Sequence, residues 1–346
     1  MANTLRNLRL SQRLLQVIGL LEEARIECMA YKGPATALQA YGDTALRQFT
    51  DLDLLIHPED FARVYAVLLQ AGWQPYTPLN QKEQRWLVKT AVEFQLTKGS
   101  DLLEIHWGIT LPEFLHPLKT AIFWEGRMTL ELLERRLPTL SLERAVFFTC
   151  LHATKHGCAS LKTPVDLAHL SDLHPELDWL RLIDCSHRYG FQRLLCLNLL
   201  LAETLGGAVF PTDVHDRIHA DAPAQSLATR VVEQMVNGRA SPDPTERLFF
   251  YFQCRERLRD KLYLVLAQAF VPKEVDWRLL PLPEQLYFLY YLIHPVRSLA
   301  KLCWLLLSWL VGRTFRATRQ SLGQILRPFR RPKQPEGPTR NPHKWP

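Results

Sequence analysis

Two aspartates one residue apart, Asp51 and Asp53, stand in FTDLDLLIHPED, residues 49–60, within a run that otherwise has the apolar character of a buried strand. Residues two apart on a strand point to the same face, so the two carboxylates share one side while Leu52 and Leu54 take the other. Carboxylates this close raise one another's pKa unless a cation lies between them. A hard divalent ion such as Mg²⁺ or Mn²⁺ is such a cation, since it takes oxygen ligands and keeps positions for water and phosphate oxygens. Glu104, in the alternating stretch LLEIHW, brings a third carboxylate to the same edge if its strand lies beside the first. Three carboxylates can hold two ions about 3.5–4 Å apart, one activating an attacking hydroxyl and the other steadying a leaving phosphate.

The other residues fit around that demand, each with a plainer reading beside the functional one. Lys32-Gly33 forms a turn between a short apolar stretch and a helix, where a triphosphate can approach. Glycine admits close backbone contact, the helix N-terminus offers unpaired N–H groups, and Lys32 adds charge or is an ordinary solvated lysine. Arg47, four residues before Asp51, can pair with an acid and order its loop. His106 points to the side of Glu104 and either orients a ligand or is half-buried beside Trp107. His152 and His156 lie four apart on one helix face with Asp166 ten residues on, a spacing that can bind zinc. With no HExxH glutamate and no cysteine pair, that trio reads better as a satisfied polar cluster lining a cleft. A lone D-x-D likewise describes many solvated strand faces.

The elements that position these residues follow from periodicity. Leu5, Leu8, Leu15, Ile18 and Leu21 predict most of an apolar stripe on a helix over residues 5–25. IECMAY reads as a strand, PATALQAY as a helix opened by Pro34, LRQFTDLDLLI as a buried strand, and PEDFARVYAVLLQAGW as a helix ending at Gly72. AVEFQLTKGSDLLEIHWGI reads as two strands joined at Lys98-Gly99-Ser100. This order predicts an α/β or α+β mixed sheet with flanking helices whose last hairpin is antiparallel. From about residue 117 strand signals become scarce and Ser141 opens a series of helices. The expected division is 1–125 for the sheet domain with its core at 25–110, 126–283 for an all-helical domain, 284–328 for apolar and basic C-terminal helices, and 329–346 for a disordered basic tail.

Bulk composition narrows the class. At 346 residues and 47% hydrophobic the chain can bury a large core, which excludes a disordered protein. Seven scattered cysteines without a CxxC pair fit buried thiols in a reducing compartment, and the start lacks a signal-peptide pattern, so a cytoplasmic location is expected. Residues 313–346 hold nine Lys/Arg against one Glu, so the net charge of +7 belongs to the tail and the remainder is close to neutral. The stretch Leu302 to Val311 is too short to span a bilayer, but with Trp304, Trp309 and the basic tail it can lie on an anionic membrane surface, or it packs as a core helix.

The order of strand, KG turn, helix, R-x-x-x-D-x-D-L-L strand, helix and E-I-H-W strand resembles the nucleotidyltransferase superfamily. It most closely resembles the bacterial branch known as uncharacterised nucleotidyltransferases. YKGPATALQAYGDTALRQFTDLDLLIHPED, LLEIHW and LHATKHGCASLKTPVDLAHL carry the likeness over about residues 25–175. The superfamily usually has Gly-Ser or Gly-Gly at the first turn, and Lys32-Gly33 departs from it. The resemblance implies Asp51, Asp53 and Glu104 as metal ligands, with Glu104 also helping to activate the acceptor hydroxyl. Gly33 would be the phosphate-turn glycine, and Lys32 and Arg47 branch-specific phosphate binders. The implied reaction transfers a nucleoside monophosphate from an NTP to an acceptor (small molecule, saccharide, peptide or RNA) and releases pyrophosphate. The readings from other classes are a catalytically silent nucleotide-binding or membrane-surface accessory protein, and a toxin-like transferase acting on RNA or protein.

Overall fold

The computed structural model describes residues 2–110, 114, 116, 118–238 and 243–300. The apolar stretch Leu302 to Val311, Cys303 and the basic tail lie outside the described residues. Among the described residues, no helix is long and apolar enough to cross a membrane.

Helix α1 (Ala2–Glu23) leads into β1 (Cys28–Ala30), α2 (Pro34–Tyr41), β2 (Asp51–Ile56), α3 (Phe61–Gln70), β3 (Gln74–Pro75), α4 (Gln81–Thr90), β4 (Glu93–Lys98) and β5 (Asp101–His106). A hairpin of β6 (Met128–Leu132) and β7 (Arg135–Thr139) completes a seven-stranded sheet of order β3-β4-β5-β2-β1-β7-β6. The sheet is mixed: β2 pairs parallel with β5, β1 parallel with β7, and the other neighbours are antiparallel, including the β4–β5 hairpin.

The two faces of the sheet have different partners. Leu52, Leu54 and Ile56 of β2, with Leu103 and Ile105 of β5, pack in one core with Leu14, Ile18 and Leu21 of α1 and Phe61, Val64 and Leu68 of α3. Met29, Tyr31 and Leu55 point the other way, into a core shared with the helices that follow the sheet. Alternation along β2 therefore turns Asp51 and Asp53 toward the helical half.

Three expectations are corrected here. The buried stripe of α1 is Leu10, Leu14, Val17, Ile18 and Leu21, with Leu15 also buried, whereas Leu5 and Leu8 are exposed. The i, i+4, i+7, i+8, i+11 spacing from Leu10 puts those two leucines on the far side of the helix. The order of elements expected from the sequence has no helix between Gly72 and the two strands of AVEFQLTKGSDLLEIHWGI, but a helix stands there, α4, whose Asn80 and Glu83 form a reciprocal capping box. The chain beyond residue 126 is not all-helical, because β6 and β7 extend the sheet past β1. Their turn, Leu133-Glu134, has φ of 51° and 62° without the Gly or Asn that ordinarily marks such a hairpin, and charged residues occupy both strands.

Beyond the sheet come α5 (Leu142–Lys155), α6 (Lys162–Leu173), α7 (Trp179–Tyr189), α8 (Gln192–Leu201), α9 (Thr212–His219), α10 (Ala222–Val236), α11 (Pro244–Cys254), α12 (Leu258–Phe270) and α13 (Glu274–Leu279). Ser141 caps α5, as its position before an apolar-periodic run requires. Helix α8 is the hub: every residue from Leu194 to Leu201 is buried, and the Asn198 amide is satisfied by the Cys150 and Leu194 carbonyls and the Thr154 hydroxyl. The described cysteines 28, 150, 158, 185, 196 and 254 are all free thiols.

Candidate active site

Asp51 and Asp53 sit at the start of β2, and the parallel register places Asp53 directly beside Glu104 of β5. Because β4 pairs antiparallel on the other side of β5, Gln95 lies opposite Glu104 and Glu93 opposite His106. Adjacent strands are about 4.8 Å apart, so Asp53, Glu104 and Gln95 form a polar row across three strands. Asp53 and Glu104 line a cavity of about 600 Å³ between the sheet and helices α5 and α6, together with Lys32, Gly33, Arg47, Asp51, Glu93, His106, His152, His156 and Asp166. The candidate site residues Lys32, Gly33, Arg47, Asp51, Asp53, Glu104 and His106 thus border one cavity, of a size suited to a nucleotide-sized ligand.

The Lys32-Gly33 turn abuts the carboxylates. Gly33 has φ 52° and ψ −119°, a conformation essentially restricted to glycine, and the Ala35 N–H donates to the Lys32 carbonyl at 3.1 Å to close the turn into α2. A Cβ on Gly33 would lie 3.3 Å from the Asp51 carbonyl, so the glycine permits a close approach between the turn and the β2 edge. The turn aims Lys32 Nζ at Asp53 Oδ1, 2.7 Å away, with Glu104 Oε2 at 4.0 Å.

Asp53 is the buried centre of this cluster, 2% exposed. Burial raises its pKa, but the Lys32 charge and the His106 hydrogen bond outweigh it and hold the carboxyl well below the usual range. His106 Nε2 donates to Asp53 Oδ1 at 3.0 Å and lies 3.4 Å from Glu104 Oε2, while its Nδ1 is 3.4 Å from Glu93. Burial works against the imidazolium, yet the bonds to Asp53 and Glu104 raise the His106 pKa above its ordinary value. Lys32 follows the same pattern: desolvation lowers its pKa, and Asp53 and Glu104 more than restore it. At Asp51 the compensation is only partial. Burial, then Asp53 and Glu104, push its carboxyl up against the opposing pull of Lys32.

These residues fit a hard divalent cation. Asp53 Oδ2 is buried with no hydrogen-bond partner, Asp51 carries repulsion that Lys32 offsets only in part, and Glu104 keeps Oε2 turned to the same corner while Gln95 donates to its Oε1 at 2.7 Å. All three donors are carboxylate oxygens, the ligand type Mg²⁺ and Mn²⁺ prefer. Glu104, Asp53 and His106 offer ligand atoms within 4.8 Å of one another.

Arg47 is engaged elsewhere. Its guanidinium grips Asp166 of α6 through three contacts of 2.9, 3.0 and 2.9 Å, and Tyr41 donates to the same carboxylate at 2.8 Å. The Asn7 amide on α1 donates to the carbonyls of Thr44 and Arg47, so the loop entering β2 is pinned at both ends. The loop-ordering reading of Arg47 describes this geometry.

His152, His156 and Asp166 share the cavity but not a ligand set, because Asp166 is spent on Arg47 and Tyr41. Of the expected satisfied polar cluster lining a cleft, Asp166 is satisfied and all three residues line the cavity, whereas the two imidazole rings, tilted 56° to each other with centroids 4.7 Å apart, hydrogen-bond no other described residue. Burial first, then neighbouring cations, lower both pKa values, His156 to about 4 and His152 well below 6.5. Neutral in the fold and protonated in the unfolded chain, these groups make stability fall as pH drops below about 6.5 toward about 4. His106 has the opposite sign: its contribution is complete below 6.5 and is lost as pH rises through its raised pKa. Urea midpoints measured across pH 4–6.5 should decline less steeply in His156→Gln than in the parent protein; equal slopes would remove His156 from the account.

Glu93, Gln95 and Tyr31 escaped the sequence reading. The first two alternate in EFQLTK just as Glu104 and His106 do in the next strand, and antiparallel pairing of that hairpin would have put all four on one face. Tyr31, T-shaped against His106 at 5.2 Å with a buried hydroxyl lacking a partner, gave no comparable signal.

A family model described as "Uncharacterised nucleotidyltransferase" matches residues 1–207. No curated protein matches the chain. Among solved structures, ANT(2″)-Ia in complex with adenylyl-2″-tobramycin is similar over 63% of this chain and 98% of its own, at 16% identity and a TM-score of 0.32. An antigenic nucleotidyltransferase-like protein from Paracoccidioides brasiliensis is similar over 63% and 92%, at 14% identity and a TM-score of 0.34. The solution structure of the antibiotic-resistance factor ANT(2″)-Ia is similar over 60% and 92%, at 16% identity and a TM-score of 0.29.

Proposed function

The chain belongs to the family of uncharacterised nucleotidyltransferases, and from that premise we propose that it transfers a nucleoside monophosphate from an NTP to an acceptor hydroxyl, releasing pyrophosphate. The observation that carries this reading is the meeting of Asp51, Asp53 and Glu104 beside the Lys32-Gly33 turn in one cavity. Mg²⁺ or Mn²⁺, held as a pair by those carboxylates, would supply charge neutralisation for the triphosphate and for the departing pyrophosphate.

The chain's own groups do the rest. Gly33 and the start of α2 let the phosphates approach the backbone, and Lys32 presents an ammonium that its acidic neighbours keep protonated. Glu104, oriented by Gln95, receives the acceptor proton. The acceptor oxygen then bonds to the α-phosphorus as the bond from that phosphorus to the bridging oxygen breaks, and pyrophosphate leaves with the electron pair. His106 holds Asp53 and Glu104 in register, and α5 and α6 form the facing wall of the cavity. Arg47 acts by latching the β2 entry to α6.

A second reading, a nucleotide-binding accessory without turnover, draws on the Lys32–Asp53 pair: at 2.7 Å an internal cation competes with any metal for that carboxylate. Incubation with α-phosphate-labelled NTPs, Mg²⁺ or Mn²⁺ and a cell extract separates the two. Transfer of label to an acceptor with matching pyrophosphate release supports the transferase. NTP binding without either product supports the accessory reading.

A further inference from the structure

Away from the cavity at the sheet, the helical half holds a second convergence of metal-ligating side chains. Helix α8 ends by widening into a π turn, Ala202–Gly206, which carries Glu203. Such turns insert a residue into the helical ladder and re-aim the side chains on them. Facing it, α9 presents His215 and His219, four residues apart and hence on one face. His215 Nδ1 lies 3.0 Å from Glu203 Oε1, and His219 Nε2 lies 2.9 Å from Glu203 Oε2. The two rings are 4.2 Å apart, and the three groups offer one ligand atom each within 4.8 Å of one another.

The supports of this trio are rigid. Val214 and Ile218, adjacent to the two histidines, are buried in the helical core and set the rotation of α9. The π turn is pinned because Gly206 packs against the Pro164 carbonyl with no room for a side chain, and the Ala208 N–H donates to the Ala202 carbonyl at 3.0 Å. The Glu203 side chain is 16% exposed, against 51% and 42% for His215 and His219, so a carboxylate floor is topped by two solvent-facing imidazoles.

We propose that Glu203, His215 and His219 form a binding site for a divalent transition metal, zinc by the character of its donors, with solvent completing the coordination. Two imidazole nitrogens and one carboxylate oxygen make a borderline donor set that favours zinc and its neighbours over Mg²⁺ or Ca²⁺. At zinc bond lengths of about 2.0–2.2 Å, tetrahedral ligand atoms stand about 3.3 Å apart, a spacing reachable by small side-chain adjustments from ligand atoms that already lie within 4.8 Å of one another. The ion ties the π turn to α9 across the short link at 207–211. It also leaves a solvent position at the margin of a cavity of about 300 Å³ that His219 lines with Thr204 and Gln225. This site shares no residue with the carboxylate cluster at Asp51 and stands independently of the transferase reading.

Titration calorimetry of the untagged full chain with zinc chloride tests it. The tightest site is expected at this trio, weakened at least about tenfold by His215→Gln or His219→Gln. It should be unchanged in His156→Gln and Asp51→Asn, which probe the competing histidine pair and the carboxylate cluster. Electron paramagnetic resonance of the Cu²⁺-loaded parent protein, which needs no variant to fold, should show two imidazole nitrogens on the metal. No zinc uptake by the parent protein, equal uptake by the His215 and His219 variants, or loss of uptake in His156→Gln would each overturn the proposal.

Discussion

Asp51→Asn is expected to lower nucleotidyl transfer by at least about 10²–10³-fold, the scale on which a preorganised group that stabilises transition-state charge acts, while making the folded protein more stable at neutral pH. The two effects share a cause. Burial, Asp53 and Glu104 raise the Asp51 carboxyl above its ordinary pKa, so ionising it in the fold costs more than in the unfolded chain. That cost is present above the raised pKa and vanishes as pH falls through it. Asparagine keeps the shape and removes the charge, so the repulsion disappears together with the ligand. Label transfer and urea midpoints at pH 7 and pH 4 measure both sides. The stability gain should be present at pH 7 and shrink at pH 4. Unchanged transfer would show that Asp51 lies outside the chemistry, and a loss of stability at pH 7 would show that the carboxylate is compensated by a partner.

Asp166→Ala is expected to cost about 3–5 kcal/mol of folding stability, the range for removing one member of a buried ion pair. The Arg47 and Asp166 side chains are 14% and 4% exposed, and the substitution strands both the guanidinium and the Tyr41 hydroxyl. The double variant Arg47→Met/Asp166→Leu should recover a large part of the loss, because it leaves no uncompensated charge. Denaturant unfolding of Arg47→Met, Asp166→Leu and the double variant closes the cycle. Strict additivity of the losses would show that the pair carries no coupling. Since Arg47 latches the loop that enters β2, transfer should fall with Asp166→Ala as well, even though Asp166 is given no part in the reaction.

Much of the local structure was legible. The period of two in TDLDLLI put Asp51 and Asp53 on one face, and the same rule aligned Glu104 with His106. Lys32-Gly33-Pro34 announced its turn and the helix after it, since only glycine tolerates the backbone angles found there. The mixed sheet with an antiparallel β4–β5 hairpin followed from the order of apolar runs. The β6–β7 hairpin was hidden because its turn uses Leu133 and Glu134 at positive φ, against their preference. Helix α4 was masked by its polarity, although Asn80 and Glu83 carried a capping signature.

What the sequence alone determined is therefore what repeats or bends within a few residues: which side chains share a strand face, where a turn needs glycine, and where a helix begins. Steric limits on the backbone impose these patterns wherever the segment ends up. Only the tertiary structure decided the partners. The register that sets Asp53 beside Glu104, the lysine that neutralises Asp53, the Asp166 that claims Arg47 and the meeting of Glu203 with His215 and His219 all join elements brought together by folding. Each choice is made among many competing pairings by how well the two cores close, and no local pattern encodes that comparison.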